Sequence, residues 1–236
     1  MGELIYSLFM LLKYSKVGIM LISMLVSLVI YGKLFGWAYA AGFLGLLFIH
    51  EMGHYAAARR RGLQISAPTF IPFIGAYVTL KDQPHDVQTE AYVAYAGPLA
   101  GTLASFVVYA YARDTQSDLW LAVSYSGFFL NFFNLLPLSP LDGGRITAIL
   151  SPRIWLLGAP IMLGLFFIMP SPTLLIIAIL ALPRLREAWH FDPKAPQNLA
   201  YYNASSSVRT DYAIMYLGLT GLLGIMTYNV HQMLGV

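Results

Sequence analysis

Cysteine is absent from this 236-residue chain, and charged residues make up only 11% of it. The first absence excludes disulfide bonds and any metal site built on thiolate ligands. The second excludes an ordinary soluble domain, in which about a quarter of the residues are charged. Hydrophobic residues reach 58% and the mean hydropathy is +0.65. The chain is therefore predicted to be an all-α polytopic membrane protein, with residues 1–236 forming a single integral membrane domain.

Apolar runs separated by charges and prolines predict about six to seven transmembrane helices. The runs cover residues 15–35, 37–58, 91–112, 119–138, 154–169, 172–183 and 211–231. The run at 172–183 is short for a span, so we expect it to be tilted or re-entrant. The first run is expected to stay as an uncleaved helix, because apolar character continues past Ala38 and Ala40. The run at 211–231 is an additional C-terminal helix beyond a core of six.

Lysine and arginine predict the orientation, because short cytoplasmic loops retain basic residues. With a cytoplasmic N-terminus and a hairpin formed by 154–169 and 172–183, only Lys33 and Arg113 of the 14 basic residues fall outside. The polar stretch 191–210 then becomes a cytoplasmic connector.

The segment at residues 63–90 interrupts the helical pattern. Pro68, Pro72 and Gly75 disfavour a helix, and Tyr77–Leu80 favour a strand. A small β-hairpin or sheet is predicted here, at the cytoplasmic membrane edge. Its role stays open between sealing that edge and pairing with an extended segment of another protein.

The strongest chemical signal is His50-Glu51-Met52-Gly53-His54 in the second apolar run. Histidines at positions i and i+4 lie on one helix face and converge on one metal ion, with Glu51 placed to accept a proton from water. Ionisable groups are costly inside a membrane, and a bound zinc ion compensates that cost. The alternative is a polar cluster that joins helices or relays protons.

A catalytic zinc site usually has three protein ligands, and Asp142 is the best candidate for the third. It follows Pro137 and Pro140, which unwind the end of the fourth run, and it precedes two glycines that let the backbone turn inward. The alternative is that Asp142 only caps the next helix. Three histidines are poorer candidates, because they lie in a polar loop or near the ends of apolar runs: His85, His190 and His231.

The histidine motif and the stretch from Asn134 to Gly144 resemble the two signatures of the site-2 protease family of intramembrane zinc metalloproteases. Ala96–Gly101 is similar to the small-residue turn of that family, and the resemblance covers a core at about residues 37–150. It implies one zinc ion per chain, with His50, His54 and Asp142 as ligands. It also implies Glu51 as catalytic base and acid, and Asn134 as a polar partner of the scissile carbonyl or the oxyanion.

The expected function is hydrolysis of peptide bonds in transmembrane or membrane-proximal protein segments, near the cytoplasmic side of the bilayer. A compact form without a PDZ domain is expected, in the plasma membrane of a prokaryote, with room for a regulatory membrane partner. Nucleic acid is not an expected partner, because basic and aromatic residues do not alternate. The rival hypotheses are a prenyl-peptide protease, a metal transporter and a pseudo-protease scaffold. Gly97, Pro98 and Gly101 are interpreted as helix-packing residues.

Overall fold

The apolar runs form helices in the computed structural model, which describes residues 15–73, 75–77 and 84–235. In chain order the helices are α1 (Lys16–Phe35), α2 (Trp37–Arg60), α3 (Val87–Thr115), α4 (Asp118–Asn134), α5 (Asp142–Thr147), α6 (Trp155–Ile168), α7 (Pro172–Trp189), α8 (Pro196–Tyr201) and α9 (Ser206–Leu234). A 3₁₀ turn, Pro152–Ile154, precedes α6. Each predicted span overlaps one helix, so the mostly helical class is confirmed.

Within the described residues, three helical segments are long and apolar enough to cross a membrane: Val17–Phe35, Val87–Thr115 and Ser206–Leu234. Helix α2 has the length, but the histidine motif lowers its hydropathy, while α4 and α6 have only 17 and 14 residues. Large apolar side chains on the outer faces of α3, α6, α7 and α9 are exposed, as in a protein whose solvent is lipid. The total of six to seven spans stays a prediction.

Helix α3 begins earlier than its predicted start at residue 91. The Asp86 carboxylate accepts a hydrogen bond from the Thr89 backbone N–H at 2.6 Å, which caps the helix, and Glu90 lies favourably in the first turn. The extent of the predicted β segment, 63–90, is therefore wrong at its C-terminal end, because residues 87–90 are helical.

The predicted hairpin is present as two short antiparallel strands, β1 (Thr69–Ile71) and β2 (Gly75–Tyr77). Its turn is held from two sides. The backbone N–H of Phe73 donates to the Tyr31 hydroxyl at 2.7 Å, and Thr173 Oγ1 donates to the Phe73 carbonyl at 2.7 Å. The predicted strand residues 78–80 lie outside the described residues.

Helices α2, α3 and α4 pack together, and α9 packs on α4. Helix α4 ends at Asn134, four residues before its predicted end, because Pro137 interrupts the helix. The irregular segment that follows leads into α5, and the Tyr216 hydroxyl of α9 donates to the Leu135 carbonyl at 2.6 Å. This arrangement places the start of α5 beside α2.

Helices α6 and α7 pack against each other across a turn at residues 169–171, as the predicted hairpin requires. Helix α7 continues to Trp189, beyond the predicted end at residue 183. The connector contains the short α8. It ends at Ser205, whose hydroxyl accepts the Val208 N–H and caps α9. The predicted connector 191–210 is therefore too long, since residues 206–210 belong to α9.

Candidate metal centre

His50 and His54 lie one turn apart on α2, both buried, with their Nε2 atoms 3.1 Å apart. Each Nδ1 faces a hydrogen-bond acceptor: Asn131 Oδ1 for His50 and the Val93 carbonyl for His54, both at 2.8 Å. A carbonyl only accepts, so His54 carries its proton on Nδ1. The Asn131 amide N–H donates to the Gly127 carbonyl at 2.7 Å, which assigns its oxygen to His50. Both Nε2 lone pairs therefore face each other and are free to bind a metal ion.

Asp142 completes a triangle with the two imidazoles. Its Oδ2 lies 3.2 Å from Nε2 of His50 and 3.2 Å from Nε2 of His54. Ligand atoms about 2.0–2.1 Å from a tetrahedral zinc ion are about 3.3 Å apart, so the three sides have the length that one ion requires. These residues form a group that can hold one metal ion, and among the described residues no second group of this kind is found.

The backbone around Asp142 explains how a short helix brings a carboxylate to this point. A Cβ at Gly143 would collide with the Leu135 and Leu136 carbonyls, and one at Gly144 would collide with the backbone near Ser139. The two glycines thus let α5 lie directly against the segment that follows α4. The N-cap position of α5 is occupied by Leu141, which makes no capping hydrogen bond, and Asp142 is the first residue of the helix itself. The alternative that Asp142 serves only as a helix cap is therefore not supported.

Glu51 is buried, at 4% exposure, and immediately follows His50. Its carboxylate makes no hydrogen bond or ion pair with any residue in the described ranges. It is also not a member of the three-atom group. A buried carboxylate without such a partner is costly unless the site itself uses it. The arrangement is a candidate metal centre with a proton acceptor beside it.

Residues 38–118 match the family model described as Peptidase family M50. This part of the chain is therefore similar to Peptidase family M50. The matched region includes His50–His54 and the small-residue turn Ala96–Gly101, but it ends before Asp142. The predicted resemblance to the site-2 protease family is confirmed.

Curated relatives of this family share about a third of the aligned residues. The putative zinc metalloprotease Rip3 of Mycobacterium tuberculosis is 30% identical over 47% of this chain and 31% of its own length. Zinc metalloprotease MJ0392 of Methanocaldococcus jannaschii is 31% identical over 46% and 34%. Stage IV sporulation protein FB of Bacillus subtilis is 32% identical over 44% and 37%. The chain thus spans only about a third of the length of these relatives.

The small-residue turn Ala96–Gly101 makes room for the candidate metal centre. Gly97 lies against the His54 imidazole, and a Cβ at this position would collide with the ring. Gly101 lies against the Asn131 side chain in the same way, and Gly53 of α2 lies against the Ala96 carbonyl. These contacts support the interpretation of the turn as a packing feature, since they let α3 approach α2 and α4 closely.

Two asparagines on α4 differ in what they contact. Asn134, the predicted catalytic residue, makes no hydrogen bond to the described part of the chain, and its role stays a prediction. Asn131, one turn earlier, is fully buried and orients His50. The sequence analysis did not include Asn131 among the candidate site residues. The signal that could have found its role is an amide in an otherwise apolar stretch of α4.

A second polar cluster lies beside the centre, on the outer side of α5. Arg145 Nε donates to Glu90 Oε1 at 3.3 Å, and the Tyr201 hydroxyl donates to Glu90 Oε2 at 2.6 Å. Burial, and then the Glu90 carboxylate, raise the pKa of Tyr201. The connector is thereby joined to α3 and to the helix that carries Asp142.

Proposed function

We propose that this chain is a zinc-dependent endopeptidase that hydrolyses peptide bonds of transmembrane or membrane-proximal protein segments. The observation that carries the proposal is the nearly equal-sided triangle of His50, His54 and Asp142, with the buried Glu51 next to it in the chain. The names of the M50 relatives, among them zinc metalloproteases, support zinc as the metal. His50 and His54 supply Nε2, and Asp142 supplies Oδ2.

Zinc held by these three residues supplies Lewis acidity, which makes water nucleophilic near neutral pH and polarises a carbonyl. Glu51 accepts the proton of the attacking water and returns it to the nitrogen of the leaving amine. Asn131 and the Val93 carbonyl hold the two imidazoles in the required tautomer. Asn134 is proposed to donate to the substrate carbonyl or the oxyanion, because it stands one turn from Asn131 at the end of α4.

The substrate is proposed to be a membrane segment that has locally unwound, because peptide groups in a helix are already hydrogen-bonded and shielded. Strand β1 lies against α1, where the Phe70 N–H donates to Ser23 Oγ at 3.1 Å. We therefore assign β2 as the strand that pairs with the unwound segment. The alternative, a hairpin that only seals the membrane edge, predicts cleavage that is insensitive to changes in β2.

The basic residues support a site that opens to the cytoplasm. Residues 1–236 are proposed to form one membrane domain, with the catalytic core at 37–150, in a prokaryotic plasma membrane. Because Tyr201 contacts Glu90, the connector lies at the same end of the helix bundle as α5. It is the proposed contact for a regulatory membrane partner.

Purified protein in liposomes tests the proposal with a model transmembrane substrate. The expected result is cleavage within the membrane segment, loss of cleavage after chelation, and recovery when Zn²⁺ is restored. Zinc flux into the liposomes without cleavage would instead support the transporter hypothesis. Zinc binding with neither flux nor cleavage of any substrate in a panel would support a pseudo-protease scaffold.

A further inference from the structure

A cavity of about 320 Å³ lies behind α5, away from the metal centre. Its walls come from the end of α5, the 3₁₀ turn, the connector and the first turn of α9. The side chains relevant to its chemistry are Ser151, Arg153, Phe191, Leu199, Tyr202 and Arg209. The volume is within the range of small-molecule binding sites.

The cavity is positively charged, because its lining contains two arginines and no aspartate or glutamate. Arg209 donates to four backbone carbonyls, those of Ile149, Leu150, Tyr202 and Ala204. Arg153 uses one N–H on the Phe191 carbonyl at 2.9 Å. Carbonyls satisfy donors but do not neutralise charge, and neither arginine forms an ion pair within the described ranges. Arg153 keeps further N–H groups for an anion.

The position of the cavity along the helices indicates which anion it takes. The cavity lies at the start of α9, which is a candidate membrane span. This helix begins three residues before Arg209. Trp189, at the end of α7, is 72% exposed, as aromatic residues at a membrane–water interface are. Phe191 and Leu199 give the cavity an apolar wall beside its charged one. A phosphate on an apolar glycerol backbone matches both walls.

We propose that this cavity binds the phosphate of an anionic glycerophospholipid. Arg153 donates to the phosphate, and Phe191 and Leu199 contact the glycerol and the first carbons of the acyl chains. Arg209 forms part of the charged wall of the cavity. It also donates to the carbonyls of Ile149 and Leu150, which follow the helix that carries Asp142. The proposal concerns binding and is independent of proteolysis.

Native mass spectrometry of the delipidated full chain in detergent tests it, with short-chain phosphatidylglycerol as the probe. We expect stoichiometric binding of phosphatidylglycerol in preference to phosphatidylcholine. Arg153→Gln should weaken binding about tenfold, the value of a lost hydrogen bond between charged groups. Arg186→Gln is the matched control: it removes one exposed positive charge at the end of α7, outside the cavity, and should leave the affinity unchanged.

Leu199→Glu is a second variant, because Leu199 is 58% exposed and its replacement spares the fold while adding a negative charge to the wall. It should weaken binding at least as much as Arg153→Gln. Equal losses in Arg153→Gln and Arg186→Gln would show diffuse charge attraction and overturn the proposal. Displacement of the lipid by an equimolar concentration of inorganic phosphate would identify free phosphate as the ligand and overturn the lipid assignment.

Discussion

His50 Nδ1 donates to Asn131 Oδ1 at 2.8 Å, although the two residues are 81 positions apart in the chain. Asn131 is itself held, because its amide donates to the Gly127 carbonyl one turn earlier. The bond fixes both the tautomer and the ring orientation of His50. Asn131 is therefore proposed as a positioning residue, which would act through His50, a proposed metal ligand, without contacting the metal itself.

Asn131→Ala should lower zinc affinity by about 10- to 100-fold, the usual cost of losing such a partner of a ligating histidine. Asn131→Asp keeps an oxygen that accepts from His50 Nδ1 and should retain most of the affinity. Competition with a fluorescent chelator measures both values. Wild-type affinity in Asn131→Ala would remove Asn131 from the metal centre.

Gly97→Ala should disrupt the centre, because the added methyl group collides with the His54 ring. Overpacking of this kind costs about 1–3 kcal/mol of stability, and the displaced imidazole should also lower the zinc content. Gly164→Ala, in α6, is the control, since among the described residues no atom beyond the nearby backbone of α6 lies within 4 Å of the added Cβ. Thermal unfolding and metal analysis of the two variants should diverge. The packing role of Gly97 is wrong if both behave alike.

The orientation inferred from basic residues can be tested with single cysteines, since the chain has none of its own. A cysteine at Ser206, the first residue of α9, should react with an impermeant reagent only from the cytoplasm. One at Ser117, between α3 and α4, should react only from outside. Ser117 caps α4, so that variant is expected to lose about 1 kcal/mol of stability while keeping its topology. Labelling of position 206 from outside would reverse the direction of α9.

The candidate metal centre was largely predictable from the sequence, because the patterns that indicate it are local. The spacing of His50 and His54 specifies one helix face, and the prolines and glycines around Asp142 specify a tight turn that brings a carboxylate inward. The order of the elements then places them together. The structure confirms that these three side chains converge.

The structural features that the sequence did not predict depend on how closely the helices approach one another. The contact of Asn131 with His50 requires α4 to lie close to α2, and no local pattern encodes that distance. The predicted start of α3 was wrong because the apolar run begins only at residue 91, whereas the Asp86 cap starts the helix at Val87. Hydropathy alone does not give the number of spans, because the polar residues of the candidate metal centre lower the hydropathy of α2.

The most direct measurement on the central claim is the zinc content of Glu51→Gln together with its cleavage of a model transmembrane substrate. Glu51 is adjacent to the ligands without being one of them, so the variant should bind one zinc ion per chain, as the wild type does. Without a carboxylate to transfer the proton, cleavage should fall by about 10²-fold or more. His54→Ala, as the control, should lose both the zinc and the cleavage. Cleavage by zinc-loaded Glu51→Gln at the wild-type rate would contradict the proposed mechanism.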